Sequence, residues 1–286
     1  MPTVIKHLVI LAPGLLGASV ARAARARGLA HTITVWARRP EVRAALRDQP
    51  WVDHVADTPE HAVAHASLVV LAAPVDKIIE LDQRIAPHLP HDCIVTDVGS
   101  VKTPICAAAT THTRTHDACF IGSHPMAGSE KTGWEHGTET LFENRVTFVT
   151  PATATPAPAL ALLEKFWRAL GSTVVVVAPE KHDEIVAHIS HLPQAVATSL
   201  ACTLAEKDGQ WRHLAGNGLR DTTRIAASDA TMWVEIFQHN RDAVLHALTR
   251  HEEELAAFRR ALEQSDWPEI RARLERGKQW RDGFRT

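Results

Sequence analysis

The stretch VIKHLVILAPGLLGAS, Val4 to Ser19, decides the fold: an apolar run ends in a glycine-bearing turn and leads into an Ala/Arg-rich helical stretch that reaches Gly28. A buried strand, a tight turn and a helix in that order form the phosphate-binding opening of a dinucleotide-binding unit. The usual three-glycine fingerprint is one glycine short, its places being held by Ala12, Gly14 and Gly17. Gly14 still lets the backbone approach a pyrophosphate and Gly17 still allows close helix packing. The unpaired N–H groups of the helix start still attract negative charge. Ala12 tightens the first turn at a modest steric cost. An ordinary strand-to-helix turn competes with this reading, and the position on the first strand of the chain favours the nucleotide.

The next strand, Ile33 to Trp36, is followed by Ala37, Arg38, Arg39 and Pro40. An NAD-binding unit places an acid at the end of this strand, where it takes the ribose 2′-hydroxyl. Here that place falls to Ala37, and two arginines follow whose guanidinium forks suit a 2′-phosphate better than a hydroxyl. NADP is therefore expected in preference to NAD, against the alternative of two solvated arginines at a helix start.

Further apolar runs at Ser67 to Ala72, Cys93 to Val98, Cys119 to Gly122, Val146 to Thr150 and Thr173 to Val177 alternate with helical patterns such as Val75 to Ala86 and Ala157 to Leu170. Continuously apolar strands separated by helices predict a mostly parallel, doubly wound α/β sheet covered on both faces. From Pro179 the strand-like runs stop and helical periodicity carries the chain on, with breaks near Gly209, Gly216 and Pro268. Two domains are expected, a Rossmann-type unit over 1–178 and an all-helical unit over 179–286.

Composition narrows the partners. A chain of 286 residues can bury an extensive core. A formal net charge of −2 gives no bulk attraction to nucleic acid or to anionic membranes, so a small-molecule substrate is the expected partner. Cys93, Cys106, Cys119 and Cys202 show no CxxC pairing and read as thiols in a reducing cytoplasm. No signal peptide is expected before the first strand, and no apolar stretch is long enough to span a bilayer. The chain contains no tyrosine.

Three polar clusters carry the chemistry. In IGSHPMAGSEKTG, Ile121 to Gly133, the histidine His124 is expected on a short Pro/Gly-bounded loop, next to hydroxyls from Ser123 and Ser129. With an ordinary pKa of about 6.5 it is a candidate acid or base near neutrality. The second cluster is His188 to Gln194, where Pro193 kinks or restarts a helix. The third is AGNGLRDTTRIA, Ala215 to Ala226, followed by Met232 and Trp233. Arg220 and Arg224 lie one helical turn apart and share a face. Either they serve an anionic ligand that Gly216 and Gly218 allow close, or Arg220 pairs with Asp221 or Asp229. No four-ligand set accompanies His188 and His191, so no metal is expected.

Taken together, Gly14-Leu15-Leu16-Gly17, Asp97-Val98-Gly99-Ser100-Val101-Lys102, HPMAGSE from His124 to Glu130, Ser190-His191-Leu192-Pro193 and GLRDTTRIA from Gly218 with Met232 and Trp233 resemble the prephenate/arogenate dehydrogenase family, in family order over nearly the whole chain. The chain departs from the family pattern at Ala12, at Ala37 and at Gln194, where several relatives carry a histidine. The resemblance implies an NAD(P)-dependent oxidative decarboxylation of prephenate, or of arogenate, in tyrosine biosynthesis, by a homodimer joined through its helical half. It implies that Gly14, Leu15, Leu16, Gly17, Arg38, Arg39, Ala73, Pro74 and Ser100 hold the cofactor. His124 would accept the substrate hydroxyl proton with Ser100 orienting it. Arg224 would hold a substrate carboxylate, and Ser190, His191, Gln194, Gly218 and Trp233 would complete the pocket. Another two-domain NADP-dependent dehydrogenase or imine reductase would need different polar clusters in the helical half. A non-catalytic NADPH-binding protein would need neither His124 nor Arg224.

Overall fold

The computed structural model describes residues 5–115, 117–128 and 131–284. Val4, Ser129 and Glu130, which enter the sequence reading above, lie outside them. The N-terminal half is built on β1 (Ile5–Leu11), β2 (Ala30–Trp36), β3 (His54–Val55), β4 (Leu68–Leu71), β5 (Ile94–Asp97) and β6 (Cys119–Phe120), hydrogen-bonded in the order β3-β2-β1-β4-β5-β6 and parallel throughout. The strand order reverses between β1 and β4, the switch point at which such sheets bind ligands outside the strand carboxyl ends.

The near-continuous apolar strands follow from burial on both faces. Leu8, Ile10, Ile33, Val35, Leu68, Val70 and Ile94 belong to one buried cluster, whereas their neighbours Val9, Leu11, Trp36, Val69, Leu71 and Val95 belong to another. With a side-chain period of two, both sets must be apolar. Helices α1 (Leu15–Ala26), α2 (Pro40–Leu46), α3 (Pro59–Val63), α4 (Val75–Ile85) and α5 (Thr103–Thr111) make the crossovers. A Cβ on Gly17 would stand 2.7 Å from Ala72 Cβ and 2.9 Å from Ile10 Cγ2, so only glycine lets α1 lie this close to the sheet.

The apolar run at Cys119 to Gly122 divides in two. Its first part is β6, and Ile121 N still bonds Val95 O at 2.9 Å. The chain then turns into β7 (Gly122–Pro125), which joins a second sheet with β8 (Val146–Thr150) and β9 (Thr173–Val176), antiparallel to β8, while β8 and β9 are parallel. His124 therefore sits on a strand, opposite Phe148, and not on the loop its Pro/Gly flanks suggest. The flanks mislead because Gly122 is required by packing: a Cβ there would lie 2.3 Å from Thr150 Oγ1. Helix α6 (Ala157–Ala169) covers this part, burying Phe166 and Trp167.

The helical half runs through α7 (Pro179–Val186), a π-turn over Ala187–His191, and α8 (Leu192–Ala205), with Pro193 in the first turn of the restarted helix. It continues through α9 (Trp211–Leu214), α10 (Asn217–Thr223), a 3₁₀ turn Arg224–Ala227, α11 (Ala230–His239), α12 (Arg241–Glu263) and α13 (Trp267–Asp282). The helical run is broken between α11 and α12 at Asn240, whose side chain is drawn inward to donate to Asp183 O at 2.9 Å. The buried apolar cluster here is small, Ala187, Val244 and Ala247. Trp211, Leu214, Val234, Leu255, Trp267, Leu274 and Trp280 are all more than half exposed. No helix among the described residues is long and apolar enough to cross a membrane.

Candidate active site

The carboxyl ends of β1, β2 and β4 open onto one cleft of about 310 Å³. Its walls include Ala12, Pro13 and Gly14 after β1, Ala37, Arg38 and Arg39 after β2, and Ala73 and Pro74 after β4, with Trp134 and Glu135 on the far side. Of the residues expected to hold a nucleotide, Gly14, Arg38, Arg39, Ala73 and Pro74 are thus brought to one place, while Leu15, Leu16, Gly17 and Ser100 are not part of its wall. Ala12 has φ +60°, the left-handed conformation that glycine holds without strain, so the missing first glycine costs roughly 1 to 2 kcal/mol of backbone strain. A Cβ on Gly14 would meet nothing within 4 Å. Its lack of a side chain serves no packing need and leaves open space at the start of α1, as a bound pyrophosphate requires. The cleft fits a dinucleotide on these grounds.

Arg43 donates to Ala37 O at 2.9 Å and to Arg38 O at 3.0 Å, pinning the backbone turn that presents the two cleft arginines. Arg38 is exposed and has no ion pair among the described residues. Arg39 has only a loose, solvated contact with Glu41 at 3.6 Å.

Behind β5 and β7 lies a dense buried polar network. Lys102 and Asp97, both fully buried, form an ion pair. Lys102 Nζ also donates to Ser123 O at 2.8 Å, and Asp97 accepts from Ser123 N at 3.0 Å and Gly99 N at 2.8 Å. Each charge is satisfied, as burial demands. The network ties the DVGSVK turn to the strand that carries His124. Ser123 faces inward, bonded to Thr96 and Trp167, so its hydroxyl serves the core and not a ligand.

His124 is 8% exposed and its Nδ1 lies 2.9 Å from His182 Nε2 on α7. His182 Nδ1 in turn lies 2.7 Å from Asp183 Oδ1. Asp183 also accepts from Lys102 N and Thr103 N, each at 2.8 Å, capping α5 from the helical half. These bonds, against the opposing effect of burial, hold its carboxyl below the ordinary carboxylate value. Burial above all, helped by nearby His182, Lys102 and His191, pushes His124 well below 6.5. Burial also lowers His182, with Asp183 opposing. Both rings are neutral at neutral pH. Ser100, half-buried after β5, makes no hydrogen bond to His124 among the described residues, and the orienting contact comes from His182 instead.

His191 is buried, and desolvation lowers it to about 4. Its Nδ1 takes an N–H from Asn240 at 3.1 Å, which leaves Nε2–H as a donor. The Trp233 ring meets it edge-on, centroids 5.9 Å apart. Two polar atoms around this spot are buried and unpartnered among the described residues, Trp233 Nε1 and Gln194 Oε1. Orphaned groups of this kind cost about 1 to 3 kcal/mol each when nothing satisfies them, which marks the place for a polar ligand.

The remaining site residues are not drawn into this cluster. Arg220 and Arg224 are exposed and have no ion pair among the described residues; Asp229 instead caps α11 through Met232 N at 2.8 Å. Gly218 is exposed with open space around it, and Ser190 is half-buried. His188 is exposed and turned to Glu184 O, away from His191. Sequence reasoning missed His182 and Asp183: adjacent on α7, they carry no spacing signal that points 58 residues back to His124.

The cleft at the sheet's switch point and the neutral histidine network together define a two-domain, nucleotide-binding oxidoreductase. The family model described as prephenate dehydrogenase, nucleotide-binding domain, matches residues 20–176, and that described as prephenate dehydrogenase, dimerization domain, matches 178–276. The cyclohexadienyl dehydrogenase of Zymomonas mobilis is 34% identical, over 92% of this chain and 91% of its own. The structure of prephenate dehydrogenase from A. aeolicus with hydroxyphenyl propionate and NAD+ superposes with TM-score 0.90 at 29% identity, covering 98% and 99% of the two chains. Synechocystis arogenate dehydrogenase gives 0.84 at 30% identity, with 96% and 99% covered. The chain belongs to the prephenate dehydrogenase family.

Proposed function

We propose that this chain catalyses the NADP-dependent oxidative decarboxylation of prephenate to 4-hydroxyphenylpyruvate in tyrosine biosynthesis. The reading rests on a neutral, buried His124, on a His191 that acts on it and meets Trp233, where Trp233 Nε1 and Gln194 Oε1 are orphaned, and on a cleft that fits a dinucleotide. A bound nicotinamide supplies the hydride acceptor. His124 takes the proton of the substrate's ring hydroxyl as the carbinol becomes a carbonyl, which only the neutral ring can do. Ser100 borders this reaction space. The His191 Nε2–H, Trp233 Nε1–H and the Gln194 amide satisfy polar atoms of the substrate, with Ser190 and Gly218 bordering the pocket, and Arg224 attracts a carboxylate. Once the carbonyl has formed, conjugation through the ring accepts the electrons released by decarboxylation.

Arogenate is the second reading. Gln194 Nε2 is engaged with Thr198 Oγ1 at 3.3 Å, which leaves the acceptor Oε1 free to meet a side-chain ammonium. NADP preference rests on Arg38 and Arg39 in the cleft wall and on Ala37 in the place of a ribose-binding acid. The division at 178/179 follows the end of β9 and the start of α7. The homodimer rests on the exposed apolar side chains of the helical half, too many for water, and the cytoplasm on four unpaired cysteines.

The test is to follow reduced-cofactor absorbance with purified protein, prephenate or arogenate, and NAD or NADP. Turnover of prephenate with NADP at the higher kcat/KM is expected, and Ala37→Asp with Arg38→Ala should move the preference toward NAD. Turnover of neither substrate overturns the reading.

A further inference from the structure

The reaction proposed above releases no net proton: the hydroxyl proton removed during oxidation must return to the phenolate oxygen formed on decarboxylation. The site must therefore hold one proton for the interval between the two steps. We propose that His182 and Asp183 form a closed proton relay behind His124, which sets the tautomer of the base and stores that proton until it goes back.

The geometry dictates each role. Asp183 Oδ1 accepts, so the 2.7 Å bond to His182 Nδ1 requires a proton on that nitrogen. Neutral His182 then presents a lone pair at Nε2, which accepts the proton on His124 Nδ1 across 2.9 Å. His124 in turn has its Nε2 lone pair free, and this atom has no hydrogen-bond partner among the described residues. A third residue thus orients the base, as in other nucleophile–base–acid arrays.

During oxidation the substrate O–H bond breaks and N–H forms at His124 Nε2, while the carbinol hydrogen leaves with both electrons to the nicotinamide. The Nδ1 proton can then pass to His182 Nε2, where the charge faces the Asp183 carboxylate. When the ring carboxylate leaves as CO₂ its electrons reach the ring oxygen, and the proton returns by the same two bonds.

Burial works against a charge on His182, which is fully enclosed and edge-on to Phe148 with centroids 5.1 Å apart, and the bonded Asp183 carboxylate is what offsets it. The other ionisable groups facing the two rings are Lys102 and Asp97, which neutralise each other, and His191, which is neutral. Asp183 itself is anchored by the first backbone N–H groups of α5.

The relay depends on His124 being the base, so His124→Asn is the reference. The informative variants are His182→Gln, whose amide oxygen can still accept from His124 Nδ1 but cannot take a proton, and His182→Phe, which fills the space and accepts nothing. We expect kcat to fall by about tenfold in the first and by about 10² to 10³ in the second, with KM for substrate and cofactor within twofold. A proton on either ring disables the base, so the acid limb of kcat reports the pair. In His182→Gln it should move to lower pH, because the limb then reports His124 alone, which burial holds well below 6.5, and no longer His182, whose charged form Asp183 favours. The same downward move should appear in an NMR titration of the His124 ring in the protein without ligands. Equal losses in the two His182 variants with an unmoved acid limb, or full activity in either, would overturn the relay. Full activity in His124→Asn would instead remove the base on which it rests.

Discussion

At the residue scale, burial changes what His124 does with pH. An exposed imidazole would titrate near 6.5, but desolvation first, and then the proximity of His182, Lys102 and His191, push this ring well below that value. Activity should therefore be flat across neutral pH and fall only on acidification below 6.5, as the protonated ring loses its lone pair. His124→Asn should lower kcat by about 10² to 10⁴ with little change in KM, measured by steady-state kinetics. Arg224 belongs to a different regime. It is exposed, so its truncation should weaken substrate binding by about 1.5 to 3 kcal/mol, the range for a charged hydrogen bond. KM for substrate should rise about tenfold or more for Arg224→Ala with NADP affinity unchanged; an unchanged KM would pass the role to Arg220, one turn away.

At the element scale, two glycines three residues apart on one turn separate folding from binding. A methyl on Gly17 would collide with Ala72 and Ile10, forcing α1 away from β1 and β4. Gly17→Ala should cost roughly 1 to 3 kcal/mol in denaturant unfolding and weaken cofactor binding with it. A methyl on Gly14 meets only open space. Gly14→Ala should unfold at nearly the same denaturant concentration yet lose NADP affinity by fluorescence titration, because its side chain would occupy the pyrophosphate's place. Equal behaviour of the two variants would refute this division of labour.

At the scale of the whole molecule, the two halves are joined by the histidine network as well as by the chain. Asp183 reaches from α7 to α5, and on the surface Asp76 N donates to Glu235 while His239 bonds Asp76 at 2.8 Å. His191 is held neutral down to about pH 4 in the folded protein, whereas the unfolded chain protonates it near 6.5. Between those values the unfolded state binds more protons, so stability must fall as pH falls, by up to about 1.4 kcal/mol per unit for this group, and His124 and His182 act in the same direction. Urea unfolding at pH 7 and pH 5 should show the acid sample less stable. The exposed tryptophans and leucines of α9 and α13 predict association through the helical half, and light scattering at micromolar concentration should return twice the 31.4 kDa chain mass.

The chain's periodicity determined its architecture. Apolar strands that must bury both faces, crossovers of helical period and a glycine turn on the first strand leave a doubly wound sheet as the solution, and the nucleotide cleft follows because the turn, Arg38 and Pro74 all stand at strand carboxyl ends. These signals are legible because they are local. Only the tertiary structure decided that His124 lies on a strand in a second sheet, that the helix around Asn240 breaks, and that His182 and Asp183 stand behind the base. The contacts responsible span 58 residues from His124 to His182, 57 from Asp183 to Asn240 and 81 from Lys102 to Asp183. Such contacts are chosen by packing and by the need to satisfy every buried polar group, and neither leaves a spacing in the sequence to read.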